Sequence, residues 1–178
     1  MPRPARPARP ARTVRESQHE TSALMMPPDE NARGHVFGGT ILAMMDKAAA
    51  VCAMRHARSP CVTVSVDRVD FREPIRVGEL VVMKASINHV GRTSMEIGIR
   101  IEAENMLTGK RRHTNSCYTT FVAIDSEGKP VEVPSLVTET PEQARRFDAA
   151  AIERRRRRLE ERDAERKQHD SSVRSVKK

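Results

Sequence analysis

The sequence predicts an α+β domain in which one antiparallel sheet wraps around one long central helix. The first observation is an apolar segment of helical length from about Gly39 to Ala57, closed by Ser59-Pro60. The second is a series of four strand patterns that follows it. The third is that this helix is apolar on most faces, whereas a sheet from one chain covers only one side. Together these observations predict a dimeric unit.

The N-terminal segment is predicted to be a leader. Residues 2–12 repeat proline, alanine and arginine, a composition typical of disordered, extended chain, and the predicted leader spans residues 1–15. Ordered structure is expected from about Glu16, with a first short strand over residues 17–26. The loop after it, Met26 to Asn31, is rich in turn-forming residues.

Four strands are predicted after the central helix. Alternating valines mark the first, from Val62, and the apolar phase shifts after Val66, which indicates a bulge near Asp67-Arg68 before the strand ends at Glu73-Pro74. The other three are predicted at residues 80–90, 95–102 and 114–124, with a tight turn at Gly91-Arg92.

A C-terminal helix is predicted from its start signals. Thr140 is a suitable N-cap, Pro141 suits the first helical position, and Gln143 suits a capping box. The first part is expected to dock through Phe147, Ala151 and Ile152, and the charged part beyond residue 154 to be solvated and frayed. The predicted division is a leader at 1–15, a domain at 16–138, and a charged helix and tail at 139–178.

The positive charge lies at the two ends of the chain. The net charge is +8, with five arginines and no acid in residues 1–15, and thirteen basic against eight acidic residues in 141–178. Residues 16–140 are close to neutral. Basic ends could attract nucleic acid. Such binding is disfavoured here, because aromatic residues for base stacking are nearly absent. The sequence contains no run of about 18 apolar residues, so it predicts no membrane-spanning helix.

The cysteines do not predict a metal or redox site. Cys52, Cys61 and Cys117 are widely spaced, without a CxxC motif or a zinc-type cluster. Reduced, mostly buried thiols in a cytoplasmic protein are expected.

Asp46 is the candidate catalytic residue. It lies within the apolar helix, and the neighbours on its stripe are small, namely Gly39, Ala43, Ala50 and Ala53. A buried carboxylate is costly unless it is paired or used. In apolar surroundings such a group can serve as a base near neutral pH. The alternative is a surface acid balanced by Lys47 or tied to a partner chain.

The glycine pair Gly38-Gly39 marks the predicted start of the helix. Backbone N–H groups there have no intrahelical acceptor, and the helix dipole adds partial positive charge. A developing oxyanion would be stabilised there, although most such pairs only relieve backbone strain. Asn31, upstream in the same loop, is a candidate to hold a water or a carbonyl, with an Asx turn as the alternative.

These motifs resemble those of the hotdog-fold acyl-CoA thioesterases, in the bacterial acyl-CoA hydrolase branch. The resemblance covers about residues 17–135 and is carried by Met26 to Gly39, Met44-Met45-Asp46, Val66 to Phe71, and Val90 to Met95. It implies hydrolysis of acyl-CoA thioesters to a free acid and CoA, without metal or cofactor. It also implies a hotdog dimer and a hexamer built as a trimer of dimers.

The resemblance also implies roles for particular residues. Asp46 would activate water or attack directly, Asn31 of the other subunit would position the water or carbonyl, and the amides of Gly38 and Gly39 would polarise the carbonyl. The implied CoA-binding residues are Arg68, Arg92, Thr93 and Ser94. His35 departs from the pattern of the bacterial branch, which often has an acid there.

Two other functions remain open at this point. A hotdog-fold dehydratase pairs a histidine near the helix start with an acid on the helix, an arrangement that His35 and Asp46 imitate loosely. A non-catalytic acyl-CoA binding or sensing protein would need only the CoA-binding residues, and Asp46 would then be dispensable.

Overall fold

The computed structural model describes residues 10–67 and 69–176, without the side chains of 157, 158 and 161–176. The elements in chain order are β1 (Arg12–Thr13), α1 (Val14–Ser17), β2 (His19–Leu24), α2 (Gly38–Ala57), β3 (Cys61–Val66), β4 (Glu79–Val90), β5 (Ser94–Asn105), β6 (Arg111–Ala123), β7 (Leu136–Val137) and α3 (Pro141–Val176). A short 3-10 turn at Pro27–Asp29 precedes α2. None of the helices in the described part of the chain has an apolar stretch of bilayer-spanning length.

Five strands form one antiparallel sheet in the order β2-β4-β5-β6-β3. The predicted α+β class with one sheet around one central helix is confirmed. Helix α2 lies against the inner face, where the bulky residues Ile41, Met45 and Cys52 are buried. Leu42 of the same helix is 40% exposed. It therefore belongs to the part of α2 that this chain does not cover.

Strand β3 lies at one edge of the sheet. Near this edge the side chains of Val62, Val64 and Val66 are exposed, and Val64 retains 61% of its accessible surface. An edge strand also carries backbone groups that no strand on its outer side pairs. A contiguous surface of this kind is unusual for an isolated chain.

Ordered structure begins earlier than expected, within the segment predicted as leader. Strand β1 pairs in parallel with β7, and Val14 and Ser17 of α1 are buried. Glu16 and Thr13 form a capping box, so a capped turn begins where the Pro-Ala-Arg composition ends. The remaining leader residues, 1–9, lie outside the described residues.

The strand predicted from Val62 ends sooner than expected. The phase shift that indicated a bulge near residues 67 and 68 instead marks the end of β3 at Val66, and the observed register shift lies between Thr63 and Ser65. Residues 67 and 69–78 form an irregular connection to β4 that reaches α2. Phe71 and Ile75 in this connection line a cleft beside the start of α2 and do not lie in a strand.

Helix α3 begins as predicted and docks by fewer residues than predicted. The Gln143 amide donates to Thr140 Oγ1 at 3.2 Å, and Gln143 Oε1 accepts from the Glu139 amide at 2.6 Å. Ala150 is buried, and the ring centroids of Phe147 and His89 are 4.7 Å apart. Ile152, in contrast, is 70% exposed. The backbone stays helical to Val176, where fraying was expected.

Candidate active site

The first turn of α2 is shaped by two aromatic rings. The amides of Thr40 and Ile41 donate to the Phe37 carbonyl, at 3.0 and 3.4 Å, so the amides of Gly38 and Gly39 precede the intrahelical ladder. A Cβ on Gly39 would clash with Phe37 Cε1, so a side chain at this position would require the exposed Phe37 ring to move. A Cβ on Gly38 would meet Phe71 Cζ at 3.4 Å, an ordinary contact.

Asn31 lies beside this turn in a cleft of about 380 Å³. The cleft also includes His35, Gly38 and Phe71. The side-chain oxygen Asn31 Oδ1 accepts from the backbone amides of Arg33 at 2.8 Å and His35 at 3.3 Å. The backbone amide of Asn31 donates to the His35 carbonyl at 2.7 Å. The predicted Asx turn is therefore present. It fixes the carboxamide by its oxygen and leaves the nitrogen for a ligand.

Asp46 is held by a residue that the sequence analysis missed. The Thr63 hydroxyl donates to Asp46 Oδ1 at 2.6 Å, across the gap between β3 and α2. Alternation along β3 places Thr63 on the opposite face from Val62, which is the signal that would have identified it. The expected burial of Asp46 is wrong for the single chain, because the carboxylate lies on the face of α2 that this chain leaves exposed.

The irregular connection between β3 and β4 forms the cleft wall opposite Asn31. Arg112 of β6 fixes it by donating to the Pro74 carbonyl at 2.7 Å and by pairing with Glu79 at 2.6 and 2.8 Å. The side-chain amide of Asn115 donates to the Asp70 carbonyl at 3.0 Å. These bonds lie on either side of Phe71, the ring that packs over Gly38.

The predicted CoA-binding residues Arg92, Thr93 and Ser94 lie at the turn between β4 and β5. The Gly91 amide donates to the Ser94 carbonyl at 2.7 Å, which closes the turn. Arg92 projects outward with 80% of its side chain exposed and an ion pair to Glu132 at 3.6 Å. Arg68, the fourth predicted CoA-binding residue, lies outside the described residues.

The candidate residues form three groups within one chain. Asn31 and Gly38 share the cleft at the start of α2, Asp46 pairs with Thr63, and Arg92, Thr93 and Ser94 share a turn. Gly39 and Asp46 are seven positions apart along the helix, a rise of about 10 Å. The two halves of the predicted catalytic centre are therefore not brought to one point by a single chain.

The cysteines have no part in these groups. None of the three is in a disulfide bond, and burial raises the pKa of Cys52 to about 12 and that of Cys117 to about 11. Such thiols are poor nucleophiles. Within the described part of the chain, no group of three or more His, Cys, Asp or Glu side chains is suitable for a metal ion.

A five-stranded antiparallel sheet around one long helix, with an acid on that helix and glycines at its start, defines a hotdog-fold enzyme. A family model for the thioesterase superfamily matches residues 33–110. Protein VdlD of Helicobacter pylori is 43% identical over 129 residues, covering 72% of this chain and 74% of that protein. An uncharacterized acyl-CoA thioester hydrolase of Bacillus subtilis, YkhA, is 38% identical, and the alignment covers 72% of this chain and 75% of that protein. The chain belongs to the thioesterase superfamily.

Solved structures agree with this assignment. An apo-hexameric acyl-CoA thioesterase superposes with a TM-score of 0.82 at 38% identity, over 85% of this chain and 97% of that one. An acyl-CoA hydrolase of Staphylococcus aureus, in complex with butyryl-CoA and CoA, superposes with a TM-score of 0.77 at 32% identity. The superposition covers 95% of this chain and 100% of that one. Alanine variants of that hydrolase replace an asparagine, an aspartate and a threonine that are 15 and 17 residues apart. Asn31, Asp46 and Thr63 have the same separations.

Proposed function

We propose that this protein hydrolyses acyl-CoA thioesters to a free carboxylic acid and CoA. The observation that carries the proposal is the hydrogen bond that Thr63 of β3 donates to the Asp46 carboxylate of α2. The relatives named as acyl-CoA thioester hydrolases and the matching separations of Asn31, Asp46 and Thr63 support it.

In the proposed reaction, Asp46 accepts a proton from water as the water oxygen attacks the thioester carbonyl carbon. The carbonyl oxygen takes up negative charge, which the amides of Gly38 and Gly39 stabilise. The C–S bond then breaks, and the proton on Asp46 passes to the departing thiolate. Thr63 holds one carboxylate oxygen, so the other faces the water. Direct attack by Asp46, followed by hydrolysis of the anhydride, would use the same groups.

The proposed site is completed by a second subunit. Base and oxyanion amides on one helix are about 10 Å apart, too far to act on one carbonyl group. We infer that Asp46 and Thr63 of one protomer face the cleft with Asn31 and Gly38 of the other. The exposed valines of β3 support edge-to-edge pairing of two copies, which would also cover the exposed face of α2. The hexameric neighbour supports a trimer of such dimers.

The nucleotide end of CoA is assigned to arginines. Arg92 on its turn, with Thr93 and Ser94, offers charge-assisted donors to phosphate, and Arg68 remains a candidate by its place in the motif. We expect no metal or cofactor to be needed, because a thioester is already activated and a base with an oxyanion site is sufficient. A cytoplasmic location is proposed because the three cysteines form no disulfide bond, as is usual for proteins of a reducing compartment.

The proposal is tested by thiol release from a panel of acyl-CoA substrates, followed with a thiol reagent. The unmodified protein is expected to release CoA, and Asp46→Ala and Asp46→Asn are expected to lose about 10²-fold or more in kcat, the usual contribution of a general base. Asp148→Asn, an exposed acid on α3, is the matched control and is expected to retain full activity.

The remaining outcomes separate the alternatives. Binding of acyl-CoA without thiol release in the unmodified protein would indicate a sensing or storage role. Hydration of a 2,3-unsaturated acyl-CoA with the thioester intact would indicate a dehydratase. Unchanged thiol release by Asp46→Asn would remove Asp46 from the mechanism.

A further inference from the structure

His35 lies in the cleft at the start of α2, beside groups that the proposed reaction uses. It lines this cleft together with Asn31 and Gly38, three positions before the first residue of the helix. The next residue, Val36, is buried, and its amide donates to the Ile75 carbonyl at 2.8 Å. The chain at His35 is therefore anchored to the wall of the cleft.

The imidazole ring of His35 has no structural task in the part of the chain that the structure describes. The His35 amide donates to Asn31 Oδ1 at 3.3 Å, and the His35 carbonyl accepts from the Asn31 backbone amide at 2.7 Å. The backbone alone thus holds the residue in its loop, and no described residue forms a hydrogen bond, ion pair or ring contact with the imidazole. The rings of His56 and His113, in contrast, each bond to two groups of the protein. The ring nitrogens of His35 are therefore left to a ligand in the cleft.

The other polar side chains of the cleft are not suited to exchange a proton. Arg72 keeps its proton, and Glu73 pairs with Arg112 at 3.1 Å. The carboxamide of Asn31 donates hydrogen bonds without giving up a proton. An imidazole gives up a proton and takes one back near neutral pH. His35 is therefore the residue of this cleft that is suited to acid–base chemistry.

The proposed reaction needs a proton at the sulfur atom. CoA leaves as an alkanethiolate, and its nearest side-chain analogue, the cysteine thiol, has an ordinary pKa of about 8.5. A proton donor assists the departure of such a base near neutral pH. In the proposed site Asp46 of one protomer activates the water, whereas His35 belongs to the protomer that supplies the oxyanion amides. The two groups can therefore contact different atoms of one thioester.

We propose that His35 is a catalytic residue that donates a proton to the departing sulfur atom. The inference rests on the proposed function and adds an acid to its base. As the C–S bond breaks, its electron pair goes to sulfur, and the imidazolium N–H of His35 transfers its proton there, so CoA leaves as the thiol. The neutral imidazole then takes up the proton that Asp46 removed from water, which restores both groups. The proton of Asp46 thus reaches sulfur by way of His35, and one thioester and one water give one carboxylic acid and one thiol.

The test compares two butyryl thioesters that differ in the leaving thiol, butyryl-N-acetylcysteamine and S-phenyl thiobutyrate. The first releases an alkanethiol, as butyryl-CoA does, and the second releases thiophenol, a much weaker base that departs without a proton donor. His35→Gln is expected to lower kcat/KM for the alkyl thioester about 10²-fold, the lower end of the usual contribution of a general acid, and to leave the phenyl thioester within a few-fold. With butyryl-CoA the loss is expected in kcat, with KM nearly unchanged.

Further variants keep the result interpretable. His35→Ala leaves space for added imidazole, which is expected to restore part of the lost activity on the alkyl thioester after the reaction of imidazole alone is subtracted. Asp46→Asn is expected to slow both thioesters, because both need the attacking water. His19→Gln is the matched control, since His19 lies on β2 and does not line the cleft. It is expected to leave both thioesters unaffected.

The outcomes distinguish this inference from the proposed function. Equal losses on the two thioesters, or a higher KM for butyryl-CoA with kcat unchanged, would show that His35 only shapes the cleft or binds substrate and would overturn the inference. Normal hydrolysis by both His35→Gln and His35→Ala would also overturn it and leave the thioesterase assignment standing. Absence of hydrolysis of all three thioesters by the unmodified protein would instead overturn the proposed function.

Discussion

The hydroxyl of Thr63 donates to the carboxylate of Asp46 at 2.6 Å, which joins the edge strand β3 to the central helix α2. Thr63 and Asp46 are 17 residues apart in the sequence. Their contact depends on the orientation of β3 relative to α2, and it gives the carboxylate a fixed partner on a surface that the single chain leaves exposed.

The first prediction concerns this hydroxyl. Thr63→Val keeps the shape of the side chain and removes the hydrogen bond, so the carboxylate loses its orientation. We expect kcat to fall about 10- to 100-fold, the range for a hydrogen bond to a charged group. Thr63→Ser keeps the hydroxyl and is expected to remain within a few-fold of the unmodified protein. Steady-state thiol release measures both, and equal activities would mean that the bond has no role in catalysis.

The second prediction concerns the shared site. If Asn31 and Asp46 act from different protomers, Asn31→Ala and Asp46→Ala are each inactive but complement each other when co-expressed. Random pairing gives heterodimers in which one site has both variants and the other has none, so about one quarter of the full activity is expected. The measurement is activity of the co-expressed mixture relative to each variant alone. No recovery in a mixture shown to contain heterodimers would place both residues in the same protomer's site.

The third prediction concerns the cleft wall. Arg112→Met leaves the largely buried Glu79 carboxylate without its main partner, and we expect the free energy of unfolding to fall by about 2 kcal/mol. This loss is smaller than that for a fully buried ion pair because both side chains keep some contact with solvent. The double variant Arg112→Met/Glu79→Gln is expected to recover part of this. Chemical denaturation measures each value.

The same ion pair makes the loss depend on pH. The bond from Arg112 holds the pKa of Glu79 below its usual 4.5. A depressed acid pKa contributes stability above the unfolded-state value, and that contribution is lost as the pH falls through the folded-state value. The difference between the unmodified protein and Arg112→Met should therefore be full above about pH 5 and shrink in more acidic solution. A difference that is constant with pH would contradict this.

The fourth prediction concerns His56, buried at the end of α2. Its Nε2 lies 3.0 Å from the Pro134 carbonyl, which can only accept, so Nε2 carries the proton and Nδ1 accepts from the Ser17 hydroxyl at 2.8 Å. Burial lowers the pKa of His56 from 6.5. The unfolded chain therefore binds a proton more readily than the folded one as the pH falls below about 6.5.

Stability is thus expected to decrease on acidification through this range, and His56→Gln should reduce the slope. His19, whose pKa is also lowered by burial, contributes with the same sign, so His56→Gln/His19→Gln should be flatter still. Free energies of unfolding between pH 5 and 8 measure the slope. The same slope in all three proteins would show that neither histidine controls it.

The local sequence determined the elements and the chemistry available to them. Apolar periodicity gave α2 and the sheet strands, the glycine pair marked the start of α2, and Thr140 with Gln143 marked the start of α3. These features depend on contacts between residues a few positions apart, and the residues that make such contacts can be identified directly from the sequence. The resemblance of its motifs to known thioesterases added the candidate role of Asp46.

Tertiary structure alone decided which distant groups meet. Thr63 beside Asp46, Arg112 on the cleft wall, and Arg154 against Gly91 each join residues from separate elements. Such contacts depend on how strands align across the sheet and on where α3 crosses it, which periodicity does not specify. The expected burial of Asp46 failed for a related reason: its stripe on α2 is apolar enough to be covered, but one sheet covers only one side of a helix.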